Sequence, residues 1–299
     1  MQILAPAKIN LSLRILGKRS DGFHEIETVI TPISLCDKID IEKQNRWIDF
    51  SCDDPTLSAG DDNLVVRAAK LFFEQAKIKS GVSIKLEKKI PHAAGLGGGS
   101  SDAAATLRAL NQLFDAKLSP EELAKLGATI GSDVPFFLSE SAAICKGRGE
   151  IVKPTKLNTK LVDSPPGSST LSGSPVNVAR RPPASLSILL LKPEFGVSSA
   201  WAYSRWKDSK EITSISYEPQ KFSGHVLVND LERPVFEKFV FLAQLKTWLL
   251  KQGEVAAALM SGSGSTVFAV LRDQANSESL AKRAKDLDRQ IWTCMCETI

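Results

Sequence analysis

The sequence has no stretch approaching the roughly 20 apolar residues that a membrane-spanning helix needs, so a helical integral membrane protein is set aside. Its opening, MQILAPAKINLSL, lacks a basic leader followed by an apolar run, and Pro6 and Lys8 interrupt it. It is expected to form the first strand of the mature fold and not a signal or transit peptide. Cysteine is sparse: Cys36, Cys52, Cys145, Cys294 and Cys296 are scattered, and their number is odd. Only the last two are close, and a one-residue gap suits neither a zinc knuckle nor a redox pair. Reduced thiols in a cytoplasmic protein are the simplest expectation. Also missing are internal repeats, coiled-coil heptads and a long basic stripe. The short clusters at Lys85–Lys89 and Arg180–Arg181 suit solvated surface charge better than a nucleic-acid site.

What remains is the profile of an ordinary globular protein of 299 residues, 43% apolar and 24% charged, with a net charge of +4. That length suits one large or two modest domains. Lys8–Leu16 alternates with the period of a half-buried strand, and Glu25–Ser34 is β-branched and strand-like. Asp61, Asp62 and Asn63 precede LVVRAAKLFFEQA, whose apolar spacing is helical, and Val82–Leu86 alternates again. Ser119-Pro120-Glu121-Glu122 carries an N-cap, a proline at the first helical position and a glutamate three residues after the cap. Lys160–Ser185 holds five of the fifteen prolines and no hydrophobic periodicity, and predicts a linker or insertion. Beyond it come a strand at Leu186–Leu191, helices at Ser199–Lys207, Pro234–Lys251 and Gln274–Leu287, and a last strand at Gln290–Glu297. The expected division is 1–159, the linker 160–185, and 186–299.

The strongest motif is Pro91-His92-Ala93-Ala94-Gly95-Leu96-Gly97-Gly98-Gly99-Ser100-Ser101, followed at once by the helical pattern DAAATLRALNQLF. Successive glycines let the backbone turn its N–H groups inward into an anion nest. A helix starting there adds its free amides and the positive end of its dipole. Ser100 and Ser101 place hydroxyls where a phosphate oxygen or Mg²⁺ would lie. The P-loop is excluded because no Lys-Ser or Lys-Thr pair follows the last glycine. The dinucleotide fingerprint fails at its sixth position and lacks a clear acidic ribose partner. A tight turn or hinge would explain the glycines, but neither the double serine nor the helix placement. Two further segments are ambiguous by themselves. Ser261-Gly262-Ser263-Gly264-Ser265, between AALM and TVFAV, suits a permissive turn or a substrate loop equally. Lys8, in Pro6-Ala7-Lys8-Ile9-Asn10, suits an edge-strand solubility device.

Taken together, PAKINL, GLGGGSS and SGSGS, in that order and spacing, resemble the GHMP kinase superfamily. DGFH at Asp21–His24, DNLVVRAA at Asp62–Ala69, GSDVPFF at Gly131–Phe137 and GRGE at Gly147–Glu150 resemble its branch that acts on a cytidine-diphosphate-linked methylerythritol. The resemblance runs through residues 5–150 and resumes more thinly at 191–203 and 260–268. It implies an α+β fold of two lobes with the active site in the cleft between them. It further implies transfer of the γ-phosphate of ATP, with Mg²⁺, to a tertiary 2-hydroxyl. The acceptor would be a small molecule, with no nucleic-acid or membrane partner, and the enzyme a monomer or weak homodimer.

Residue by residue, Asp133 would be the general base, with Lys8 beside it offsetting charge on the attacking oxygen. Asn10 would bond the substrate's diol, since strand alternation points it to the same face as Lys8. His24 would read the cytosine edge, and Phe23 and Tyr203 would stack on the two faces of the pyrimidine. Phe23 stands where the family often has tyrosine. Residues 91–101 would hold ATP, with Asn63 and Lys88 around the adenine, and Ser261, Gly262, Ser263 and Gly264 would touch substrate. Ser101 is a candidate Mg²⁺ ligand, with no obvious carboxylate partner. Rival expectations are another GHMP kinase, of homoserine or mevalonate type, or a non-catalytic nucleic-acid-binding module, whose fold the superfamily's first lobe resembles.

Overall fold

The computed structural model describes residues 1–158, 185–272 and 277–299. The expected linker therefore lies outside them, apart from Ser185. In chain order come β1 (Gln2–Lys18), β2 (His24–Gln44), β3 (Ile48–Cys52), α1 (Leu64–Ala76), β4 (Gly81–Glu87), α2 (Gly98–Leu113), α3 (Pro120–Ile130) and α4 (Val134–Leu138). β5 (Ala143–Gly147), β6 (Ile151–Pro154), β7 (Ser187–Lys192), α5 (Ser199–Arg205), β8 (Gln220–Phe222) and β9 (His225–Asn229) follow. The chain closes with α6 (Glu232–Lys238), α7 (Val240–Leu250), β10 (Val255–Met260), β11 (Val267–Leu271), α8 (Ser277–Leu287) and β12 (Trp292–Glu297).

Two sheets carry the fold. The larger has eight strands in the order β3-β4-β2-β1-β9-β8, with β5 and β6 extending from β2; the smaller runs β10-β11-β7-β12. Although β9 comes from the second half of the chain, it pairs in parallel with β1 through Ser12–Val228 and Leu13–Asn229. The division expected at residue 186 is therefore crossed by the larger sheet. Ile39, Ile41, Ile84 and Leu86 of that sheet pack against α1 and α2, whereas Ile9 and Leu11 pack against Ile188, Leu190 and Phe268 of the smaller sheet.

β1 is long because it pairs with β2 over almost its whole length, yet its register shifts between Pro6 and Ala7 and again between Asn10 and Ser12. Such bulges re-aim side chains, and these two bracket Lys8–Asn10. Ala5 lies in the core formed with α1 and α2, but Ala7 lies in the core shared with the smaller sheet.

Local signals behave as their chemistry requires. Asn63 caps α1 by accepting the Val65 N–H at 2.9 Å. Ser119 and Glu122 form both arms of a capping box on α3. Two expectations are corrected. Gly98 and Gly99 are not loop residues but the first turn of α2, which begins after Gly97 and ahead of the serines. The single helix expected over Pro234–Lys251 is broken at Phe239 (φ −111°, ψ 69°), whose ring stacks on Phe195 with centroids 5.0 Å apart. Here tertiary packing overrides helical periodicity.

Candidate active site

Lys8 sits on a central strand, only 4% exposed, and not at a sheet edge. Its backbone N–H donates to the Leu96 carbonyl at 2.9 Å, tying β1 to the glycine loop. Its Nζ donates to Asn10 Oδ1 at 2.6 Å and lies 3.9 Å from Asp133 Oδ2. Burial lowers the pKa of the Lys8 ammonium below its ordinary value, and the Asp133 carboxylate opposes that fall. Asn10 is itself fixed, because its Nδ2 donates to Thr28 Oγ1 at 2.8 Å, and that hydroxyl donates to the Ser12 carbonyl. Thr28 gave no signal in the sequence beyond its place in a strand; its role follows from the pairing of β1 with β2.

The glycine loop is shaped by close packing. Gly95 has φ +74°, and a Cβ there would lie 2.1 Å from the Ser261 carbonyl oxygen. Gly97 has φ +71°, and its Cβ would meet the Phe137 ring at 2.9 Å and Lys8 Cγ at 3.1 Å. Only glycine satisfies both the backbone angle and the space. α2 then starts without a side-chain cap, so its leading amides are left to the cavity that Gly98, Gly99 and Ser100 line.

The second loop completes this wall. Ser261 is fully buried and donates through Oγ to the Gly95 carbonyl at 3.0 Å. A Cβ at Gly262 would lie 3.2 Å from Lys8 Nζ. Asn229, at the end of β9, donates through Nδ2 to the carbonyls of Met260 and Gly262, both at 2.7 Å. Like Thr28, it was not legible in the sequence, since its partners lie about thirty residues on. Gly262 and Ser263 line the cavity; Ser261 and Gly264 stand behind them.

One cavity of about 1010 Å³ unites these parts with Asp133, Phe23, His24 and Tyr203, and with residues 91–100. The aromatic end differs in arrangement from a simple facing pair. Tyr203 stacks on His24 at 5.4 Å, whereas the Phe23 ring carries the Arg148 guanidinium 4.7 Å from its centre. Burial, with the nearby Asp133, raises the Tyr203 hydroxyl above the ordinary phenol pKa. Burial and the charge of Lys18 lower the His24 imidazole. Asn63 and Lys88 both line the cavity, but their polar groups are engaged. Asn63 caps α1 and donates to the Ser58 carbonyl. Lys88 is held by Asp37 and by Asp102, the latter at 2.8 Å.

The first turn of α2 also holds two unusual oxygens. Ser101 Oγ and Asp102 Oδ1 are buried without a hydrogen-bond partner among the described residues. Burial pushes the Asp102 carboxyl up to about 7, with Lys88 pulling the other way. Asp102 lines the cavity and Ser101 does not.

This arrangement, an uncapped helix start beside a paired lysine and aspartate in a cleft walled by two loops, is that of a small-molecule phosphotransferase. A model of the GHMP kinases N terminal domain matches residues 63–141, and one of the GHMP kinases C terminal matches residues 220–288. The chain belongs to the GHMP kinase family. It is 42% identical over 267 residues to the 4-diphosphocytidyl-2-C-methyl-D-erythritol kinase of Methylacidiphilum infernorum, covering 89% of this chain and 84% of that one. It is 37% identical over 307 residues to the protein of the same name in Thermodesulfovibrio yellowstonii, covering 98% and 96%. A crystal structure of 4-(cytidine 5'-diphospho)-2C-methyl-D-erythritol kinase superposes with a TM-score of 0.75 at 31% identity, covering 100% of this chain and 99% of the other. Mevalonate kinase of Methanococcus jannaschii shares the fold, with a TM-score of 0.66 at 15% identity.

Proposed function

We propose that this chain transfers the γ-phosphate of ATP to the 2-hydroxyl of 4-diphosphocytidyl-2-C-methyl-D-erythritol, a step of non-mevalonate isoprenoid precursor biosynthesis. The observation that carries the reading is the sharing of one cavity by the glycine nest, the Lys8–Asp133 pair and the Phe23–His24 corner. Phosphoryl transfer rests chiefly on positioning and charge neutralisation, and each of those parts supplies one of these. The amides of Gly95–Ser100 cradle the phosphates. Asp133 takes the proton from the acceptor hydroxyl as that oxygen bonds the γ-phosphorus. The bond from the γ-phosphorus to the bridging oxygen breaks and ADP leaves. Lys8, kept in place by Asn10, offsets the charge gathering on the attacking oxygen. His24 offers the donor and acceptor pattern that a cytosine edge needs, with Phe23 and Tyr203 supplying ring faces nearby.

Mg²⁺ fits the residues present. Of the two oxygens without a hydrogen-bond partner among the described residues, Asp102 Oδ1 belongs to a residue that lines the cavity and Ser101 Oγ does not, so Asp102 is the carboxylate that would hold the ion beside the phosphates. When bound, the ion would neutralise phosphate charge. The proposed enzyme acts on a small-molecule acceptor as a monomer or weak homodimer, and the chemistry calls for neither nucleic acid nor membrane. No helix among the described residues is long and apolar enough to cross a membrane, and a cytoplasmic setting is part of the proposal.

A coupled assay for ADP release tests the reading. Turnover is expected with the cytidyl substrate and not with mevalonate or homoserine. Preference for either of those would replace the acceptor proposed here, and salt-sensitive RNA binding without turnover would favour a binding module.

A further inference from the structure

GRGE at Gly147–Glu150 has no role in the chemistry above, yet its Arg148 lines the same cavity. Gly149 lies against the base: a Cβ there would stand 3.7 Å from Asp133 Oδ1. One residue earlier, the Arg148 guanidinium covers the Phe23 ring at 4.7 Å and lines the cavity. The Arg148–Gly149 pair thus runs from the aromatic end of the site, at Arg148, to its acceptor-hydroxyl end, at Gly149. In a cytidine-diphosphate-linked alcohol, the group between those two ends is the diphosphate.

The guanidinium is also chemically available. Two lysines that line the cavity are committed: Lys8 to Asn10 and Asp133, Lys88 to Asp37 and Asp102. Among the described residues Arg148 pairs with Glu150, through Nε at 3.6 Å, beyond hydrogen-bond distance, and its charge also reaches the Asp21 carboxylate. Its backbone N–H, by contrast, donates to Glu150 Oε2 at 2.6 Å, which fixes the turn and not the fork. The Phe23 ring holds the guanidinium over its face, and among the described residues its terminal N–H groups make no hydrogen bond. A planar fork with free donors suits paired phosphate oxygens.

We infer that Arg148, seated on Phe23 beside Gly149 and Asp133, is the diphosphate-reading residue of the acceptor site, selecting phosphorylated over unphosphorylated cytidine derivatives. The inference rests on the proposed acceptor and adds to it a group that distinguishes the linkage from the base.

The test compares the affinities of cytidine and cytidine diphosphate, by calorimetry on the full chain, in the native protein and in Arg148→Met. The native protein should prefer the diphosphate by about tenfold or more, the usual scale for a hydrogen bond to a charged partner. The preference should shrink as ionic strength rises. Arg148→Met should lose most of that preference while binding cytidine and ATP as before; retained ATP affinity certifies its fold. Should that variant not fold, the salt dependence of the preference in the native protein decides. An unchanged ratio in the variant, or a native preference indifferent to salt, overturns the inference and leaves the acceptor reading standing. Native protein that binds neither ligand overturns both.

Discussion

Asn10 has a closer hold on Lys8 than Asp133 does. Its Oδ1 is 2.6 Å from the ammonium, against 3.9 Å for the Asp133 carboxylate. The amide is in turn locked by Thr28 from the neighbouring strand. The lysine is therefore aimed by the larger sheet, and the aspartate, at the start of the short α4, is left free to meet a substrate.

Asn10→Ala should expose this dependence. Removing one hydrogen-bond partner of a charged group costs about 1.5–3 kcal/mol, so turnover should fall roughly ten- to a hundredfold. ATP affinity should change little. Steady-state kinetics showing a loss below about twofold would mean that Lys8 is held without the amide.

Asp133→Asn keeps the shape of the side chain and removes the base. A loss of about 10²–10⁴ in kcat is expected, with ATP binding nearly unchanged because the nest is intact. A variant that keeps most of its kcat would assign proton removal elsewhere.

Gly95→Ala is predicted to damage the fold as well as the site. Its methyl would be driven onto the Ser261 carbonyl while φ stays positive, a combination costing about 2–5 kcal/mol. Gly99→Ala is the control. Its Cβ would meet only Leu64 Cδ1, at 3.4 Å, and alanine suits the helix. Urea unfolding should separate the two; equal midpoints would show that the contact between the loops is dispensable.

His24 provides a pH test. Burial and Lys18 depress its pKa below the ordinary value, so the imidazole stays neutral into mildly acidic solution. Cytidine diphosphate affinity should therefore decline only as pH falls below about 6.5. Lys18→Met removes one of the two depressing influences and raises the His24 pKa. The acid-side midpoint of a binding titration should then move to higher pH. A midpoint that stays put or moves down would exclude Lys18 as a determinant.

Much of the site was legible because its chemistry is local. The glycine loop, the capping box at Ser119 and the strand carrying Lys8 are each specified by neighbours in sequence. Thr28 and Asn229 were not legible, since a threonine or asparagine in a strand has no distinguishing mark until pairing brings Asn10 or Gly262 alongside. β8 and β9 were missed for a related reason. A short strand declares itself by its partner, and the partner of β9 lies more than two hundred residues earlier. The break at Phe239 hid because the helical period on either side is sound, and only the stack with Phe195 interrupts it. Ser100 and Ser101 were expected to open the helix, but Gly98 and Gly99 already lie inside it, so backbone amides and not hydroxyls come first.

The pairing of β9 with β1 has a consequence for biosynthesis. A ribosome that has released only the first half of the chain has made Lys8, the glycine nest and Asp133, yet Asn229 and the Ser261–Ser265 turn are still untranslated. Newly made chains therefore lack that wall of the cleft until residue 265 has been translated.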